Sequence, residues 1–406
     1  MSPDIPGTML LDPKVIEDPY PFYQRLHAEA PVWMVPGTDV CIVSSFALVV
    51  EATGRVNDFS SSMHYLLYRG DNGLPARLTF GEGTQVLAVA DPPVHTVHRK
   101  VVFPDLMARR MSGLEAEVAE VAERCIDLAV NDRSVDFMSK VGNVVPITLI
   151  TQLIGFRDGD LGSLLRAAFG STALVGARLT LDELNALMAK SAETYAWITE
   201  QLTTYGGESD GDILGTIARG IEDGALSEED GVIILQNLLG AGGESTTSLL
   251  GNSVRLLAEQ PDLQHQLRVE PELVPTFIEE ALRLESPFRF LMRHAPHGTS
   301  LGGVDIPAGT TVLLFWGAAN RDAEQFDEPD DVRLDRPAPR HHLAFGRGIH
   351  HCVGAPLARL EARVVLTKLL ERTDTFSLDG DQMPRWFDSL QVRRHEYLPI
   401  ALRAHD

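Results

Sequence analysis

Cys352 is the residue around which chemistry can most readily be built. It lies in His341-His342-Leu343-Ala344-Phe345-Gly346-Arg347-Gly348-Ile349-His350-His351-Cys352-Val353-Gly354-Ala355-Pro356, a glycine-broken segment leading into a strongly helical run over 357–370. A cysteine delivered to a helix start sits near unpaired N–H groups and the positive end of the helix dipole, which favours the thiolate. Three chemistries use such a thiolate. A nucleophile wants a partnered histidine, zinc wants a second close cysteine or a spaced histidine pair, and an axial haem ligand needs one sulfur alone. His350 and His351 are adjacent, so on an extended segment they point to opposite faces, and Cys41 and Cys125 are remote; the first two chemistries fit poorly.

The run Phe345 to Gly354 reads Phe-Gly-x-Gly-x-His-x-Cys-x-Gly and resembles the haem-binding loop of the cytochrome P450 family. The resemblance implies haem b with Cys352 as the axial iron ligand and Phe345 shielding the sulfur. Gly346, Gly348 and Gly354 would let backbone approach the macrocycle, His350 would contact a propionate, and His351 would be a bystander. The bland alternative is a buried cysteine in a glycine-rich turn.

A second stretch carries polar groups where a helix would rather be apolar. Residues 227–259 form an uninterrupted helical pattern opened by Ser227-Glu228-Glu229-Asp230, a capping-box start. Its middle, Gly240-Ala241-Gly242-Gly243-Glu244-Ser245-Thr246-Thr247, holds three glycines, each costing about 1 kcal/mol in a helix interior. Close approach to something flat is one reason for them. The segment resembles the family's oxygen-binding kink, with Glu244 as the acid and Ser245 where most relatives carry threonine. Serine keeps the hydroxyl that can relay protons to dioxygen but lacks the β-methyl that fixes its rotamer, so Thr246 is an alternative. Back-bonding of these hydroxyls to helix carbonyls is the structural reading.

Two further sites follow from charge and spacing, and the resemblance extends both. His95 and Arg99 lie four apart after Asp91-Pro92-Pro93, a helix start, and two cationic groups on one helix face suit an anion. The resemblance makes that anion a haem propionate, with Arg293 on the second propionate and Arg289 as its less favoured substitute. Glu280 and Arg283 share a face at i and i+3. They match the family's internal Glu-x-x-Arg pair, with Arg336 as candidate third member, bracing the loop that holds Cys352.

The elements that must position these groups are mostly helical. Helices are expected over 19–29, 114–130, 144–153, 161–175, 181–205 and 275–284, with a β-hairpin over 32–35 and 40–43. Residues 59–89 read as a long loop that the family uses to cover substrate, or as a short helix packed on the core. In relatives the pair over 161–205 forms a movable roof. Strand-like pieces at 304–306 and 311–314 flank a turn, and 389–392 with 397–400 suggest a closing hairpin whose tip carries Arg393-Arg394, a departure from relatives. Leu66, Leu67, Leu239, Gly240, Leu291, Met292 and Leu390 are the candidate pocket wall.

Composition bounds the rest. The chain has 406 residues, 44% hydrophobic, and a formal net charge of −22, which argues against nucleic-acid binding. Three scattered cysteines argue against a disulfide framework, and no run is long enough to span a bilayer. The expectation is one mainly α domain over 1–406 with a small β region, cytoplasmic, unanchored and monomeric. By resemblance it is a monooxygenase that oxidises a terpenoid, fatty acid, steroid or other apolar secondary metabolite with O2. Two electrons would come from a ferredoxin served by an NAD(P)H-dependent reductase. Lys100, Arg109, Arg110, Arg347, Arg359 and Arg363 are its candidate docking patch. The rival readings are an H2O2-using peroxygenase and a non-catalytic haem sensor or carrier.

Overall fold

The computed structural model describes residues 4–106, 112–205 and 211–404. Strands β1 (Val32–Met34) and β2 (Val40–Val43) pair antiparallel, Trp33 opposite Ile42, and Gly37 turns between them at φ 78°. Next come β3 (Met63–Arg69) and β4 (Pro75–Thr84), antiparallel with Leu66 opposite Leu78. The stretch expected as a loop or short helix is therefore a long hairpin. Leu66 and Leu67 are both buried, so the apolar/polar alternation of a half-exposed strand is missing and the sequence pattern does not betray it.

Helices α1 (Val94–Val102), α2 (Glu115–Val130), α3 (Val144–Ile154), α4 (Leu161–Ala173) and α5 (Leu181–Thr203) follow. Their ends fall within two residues of the expected ones where ranges were drawn. The central α6 (Glu228–Ala258) opens with the expected capping box: Asp230 N–H donates to Ser227 Oγ at 3.0 Å, and Ser227 N–H returns a bond to Asp230 Oδ2 at 3.1 Å. Thirty-one residues at 1.5 Å each make it roughly 46 Å long.

α6 runs unbroken through its glycines, whose close neighbours are side chains of other helices. A methyl at Gly242 would lie 2.8 Å from Ile150 of α3. One at Gly243 would strike Ile147 of α3, and one at Gly240 would strike Ser171 of α4. The glycines thus let two helices cross α6 closely. Gly240, expected in a pocket wall, is packed on α4.

After α7 (Val274–Leu284), strands β5 (Leu291–His294) and β6 (Thr311–Leu314) complete a sheet of order β1-β2-β6-β5, in which β6 runs parallel to β2. Helix α8 (Ala355–Arg372) leads to β7 (Thr373–Leu378), β8 (Arg385–Trp386), β9 (His395–Tyr397) and β10 (Pro399–Ala404). The expected closing hairpin does not form. β9 pairs with β8, β10 pairs with β7 and with Ser134–Asp136, and 389–392 runs outside the named strands with one bridge from Val392 to Phe288. Short strands can satisfy their backbone with several partners, and tertiary contacts chose different ones here. Among the described residues no helix is long and apolar enough to cross a membrane.

Candidate active site

The Cys352 loop is shaped by backbone that only glycine adopts readily: Gly346 at φ 66° and Gly348 at φ 71°. Cys352 N–H donates to Phe345 O at 2.8 Å and closes the loop just before α8. Burial pushes the Cys352 thiol above its ordinary value, outweighing the amides of Gly354 and Ala355 and the cations Arg359 and Arg99, which pull it down. The helix-end amides act in the expected direction, toward the thiolate, and burial opposes them; a coordinated metal cation would add to the amides, because a coordinating thiol is deprotonated outright. Phe345 is half-buried, and the Arg359 guanidinium lies 4.4 Å from its ring centroid.

Beneath this loop the expected trio assembles. Arg283 donates to both oxygens of Glu280 at 2.8 and 3.0 Å, Arg336 Nε adds a bond to Glu280 Oε1 at 3.0 Å, and Arg333 N–H one to Oε2 at 3.0 Å. The spare donors of Arg283 and Arg336 reach the carbonyls of Asn320, Pro329, Asp331, Asp327 and Glu328. Burial works against the Glu280 carboxylate, yet these bonds hold it below its ordinary range. Sequence reasoning does not single out the neighbouring Glu279. It bonds His342 Nε2 at 2.9 Å and Arg359 at 2.7 and 2.9 Å, tying α7 to both flanks of the cysteine loop. Burial again opposes it, and its carboxyl is nevertheless held down to about 2. A signal for it exists: two acids in a row on a helix with no apolar reason for the second.

Above the loop, four groups that can carry positive charge converge. The His95 and His350 rings are 4.2 Å apart, and His350 Nε2 meets Ser61 Oγ at 2.9 Å. Arg99 donates to His351 O at 2.8 Å, and buried Arg293 donates to the Met292 carbonyl at 2.8 Å. None of the four forms an ion pair among the described residues. Burial depresses Arg293 to about 10 and, with Arg293, His95 and Arg99 adding repulsion, His350 to about 3. Arg289 lies elsewhere, donating to the Ile16 and Ser389 carbonyls.

On α6, Ala241 is exposed and Gly242 and Ser245 are half-buried within a mostly buried stretch, so this face of the helix is not fully covered. Ser245 Oγ donates to Ala241 O at 2.5 Å, the back-bonded arrangement, while Thr246 is buried. Glu244 is fully buried; its Oε1 accepts from Arg394 Nε at 2.9 Å and its Oε2 has no hydrogen-bond partner. Burial pushes its carboxyl up to about 7 against the pull of Arg394. Arg393 faces the other way, pairing with Glu285 at 3.1 Å with its guanidinium 3.3 Å from the Trp386 ring centroid. The two unusual arginines are internal counter-ions.

The residues expected in the pocket wall are shared among three apolar clusters and the β3–β4 hairpin. Leu67, Leu390 and half-buried Met292 belong to one apolar cluster, Leu239 to another and Leu291 to a third; Leu66 is buried in the β3–β4 hairpin. The residues of the expected basic patch are differently engaged. Arg109 and Arg110 lie outside the described residues, Arg359 is bound to Glu279, and Arg363 pairs with Glu115 at 2.9 Å, leaving Lys100 and Arg347 exposed.

Residues 213–398 match the family model described as Cytochrome P450. The chain is 38% identical over 391 residues to Cytochrome P450 144 of Mycobacterium tuberculosis, covering 96% of this chain and 90% of that one. It is 32% identical to the beta-dihydromenaquinone-9 omega-hydroxylase of the same organism, covering 96% of this chain and 77% of the relative. Among solved structures it is similar to CYP108D1 from Novosphingobium aromaticivorans, at TM-score 0.86, 28% identity and coverage of 99% and 100%. It is also similar to CYP109E1 from Bacillus megaterium in complex with testosterone, at TM-score 0.84, 26% identity and coverage of 96% and 98%. The chain belongs to the cytochrome P450 family, monooxygenases that carry haem b on a cysteine thiolate.

Proposed function

We propose that this protein is a haem-thiolate monooxygenase with Cys352 as the axial ligand, inserting one oxygen atom of O2 into an apolar small molecule. The observation that carries the reading is the partly buried cluster of Arg99, Arg293, His95 and His350, with Asp91 as the carboxylate acting on Arg293 and His95, set beside an amide-lined cysteine. Arg99 and buried Arg293 form no ion pair among the described residues, and His95 and His350 stand beside them as neutral donors, so the group suits a bound anion, and the two propionates of haem supply one. The residues therefore fit the group.

Haem b supplies the redox centre at which dioxygen is activated. The chain does the rest. The Gly354 and Ala355 amides would share the thiolate's charge, and half-buried Phe345, whose carbonyl accepts the Cys352 N–H, would shield the sulfur from water. Glu280, Arg283 and Arg336, with Glu279, hold the loop in place. Ser245 presents its hydroxyl on the incompletely covered face of α6, and Glu244, with one unbonded oxygen, takes up and releases the proton that Ser245 Oγ passes on. Thr246, being buried, is the weaker candidate for that step.

In this reading the chain is one domain acting as a cytoplasmic monomer, and two electrons arrive from a ferredoxin served by an NAD(P)H-dependent reductase. An apolar substrate is consistent with the testosterone bound by one structural relative and the dihydromenaquinone hydroxylated by another relative. An acid and an alcohol at Glu244 and Ser245 favour use of O2 over H2O2, since peroxide brings its own protons and electrons.

Two measurements test this. Cys352→Ser should abolish the red-shifted Soret band of the ferrous carbonyl complex; retention of the band would remove Cys352 from the iron. Product formed with O2 and electrons should exceed that formed with H2O2 alone. The reverse ratio would make the enzyme a peroxygenase, and no product by either route a sensor or carrier.

A further inference from the structure

We infer that Arg394 is a positioning residue for Glu244: it clamps Oε1 and leaves Oε2 as the single oxygen free to exchange a proton. The inference rests on the reading of Glu244 and Ser245 as the proton-delivery pair.

Arg394 stands at the end of the loop between β8 and β9, far from α6 in sequence, yet its Nε lies 2.9 Å from Glu244 Oε1. Its guanidinium lies over two aromatic rings, 4.3 Å from the centroid of Phe169 on α4 and 4.5 Å from that of Phe387. Two π faces and a carboxylate fix a planar cation far more tightly than charge alone. The loop is itself anchored: Phe387 N–H donates to Arg394 O at 2.8 Å, and Trp386 stacks on His395 with centroids 3.6 Å apart. Both partners are buried, Glu244 at 0% and Arg394 at 5% exposure.

The chemistry follows from what surrounds the carboxylate. α3 and α4 bring Ile147 and Ala168 against the neighbouring Gly243, Phe169 covers Arg394, and Arg394 is the one charged group acting on Glu244 among the described residues. Without it, nothing offsets the burial that drives the acid to its neutral form. With it, the carboxylate is held in one orientation and near the balance between its two protonation states. Because Phe169 belongs to the roof helix α4, the clamp also links that helix to the acid.

The test uses haem-loaded Arg394→Met, Arg394→Lys and Glu244→Gln. The carboxylic-acid C=O infrared band that disappears in Glu244→Gln is assigned to Glu244 and followed against pH. In the parent its half-titration should fall near 7. In Arg394→Met it should move upward by about one pH unit or more, with Arg394→Lys in between because charge is kept and the planar contact with the two aromatic rings is not. In the same variants, peroxide released per NAD(P)H consumed should rise several-fold in Arg394→Met and no further when Glu244→Gln is added. An Arg394→Met protein with the parent's haem content and the parent's half-titration overturns the proposal. Should that variant fail to load haem, an Arg394→Lys protein titrating as the parent does so instead. If the band moves as expected but Glu244→Gln keeps the parent's product yield, the clamp stands and the proton-delivery reading beneath it falls.

Discussion

The acids on the two sides of the haem site are built on opposite principles. On the cysteine side, Glu279 and Glu280 each accept at least three hydrogen bonds, and both are held below the ordinary carboxylate range despite burial. On the α6 side, Glu244 accepts one bond, keeps an idle oxygen and is pushed up to about 7. A carboxylate saturated with cations cannot change its charge near neutral pH, which suits a brace. One with a single cation and a free oxygen can, which suits proton exchange.

The contrast can be broken in order of expected effect. Glu280→Ala leaves Arg283 and Arg336 buried without their counter-ion, and should cost about 3–5 kcal/mol and most of the haem content. Denaturant unfolding and the haem-to-protein ratio measure it; a haem-loaded variant of parental stability would show that the brace is dispensable.

Glu279→Gln should act through pH. The carboxyl moves from 4.5 to about 2 on folding, so its stabilisation is complete above about 4.5 and drains away as pH falls toward 2. The amount at neutral pH is on the order of 3 kcal/mol. Melting curves across that window should slope in the parent and flatten in the variant. An equal slope in both would assign the acid sensitivity to other carboxylates such as Glu285, also held down to about 2.

Ser245→Ala should disturb least. The hydroxyl bonds a carbonyl within its own helix, so stability should change by under about 1 kcal/mol and substrate binding should persist. Reducing equivalents should nevertheless divert to peroxide. Tight coupling in this variant would transfer the hydroxyl's role to Thr246 or to water.

Much of the site is legible in the order of the residues, and in a particular way. The cysteine loop with its positive-φ glycines, the capping box of α6, and Glu280 with Arg283 on one face are local patterns, written at spacings that the backbone itself enforces. Arg336 is found by its place in the family's order of motifs rather than by local geometry. The features that the residue order hides share another cause. The β3–β4 hairpin has consecutive buried leucines, so its period is hidden; the α6 glycines answer to side chains on α3 and α4; and the hairpin expected at 389–400 gives way to partners at 134–136 and 373–378. The chain's own sequence determines which chemistry is present and on which helices and loops it rides, because those depend on residue type and short-range spacing. Which charge meets which, Glu244 with Arg394, Glu279 with His342 and Arg359, and Glu285 with Arg393, is decided only by the tertiary structure, because each pair is joined by the crossing of elements that lie 63 or more residues apart along the chain.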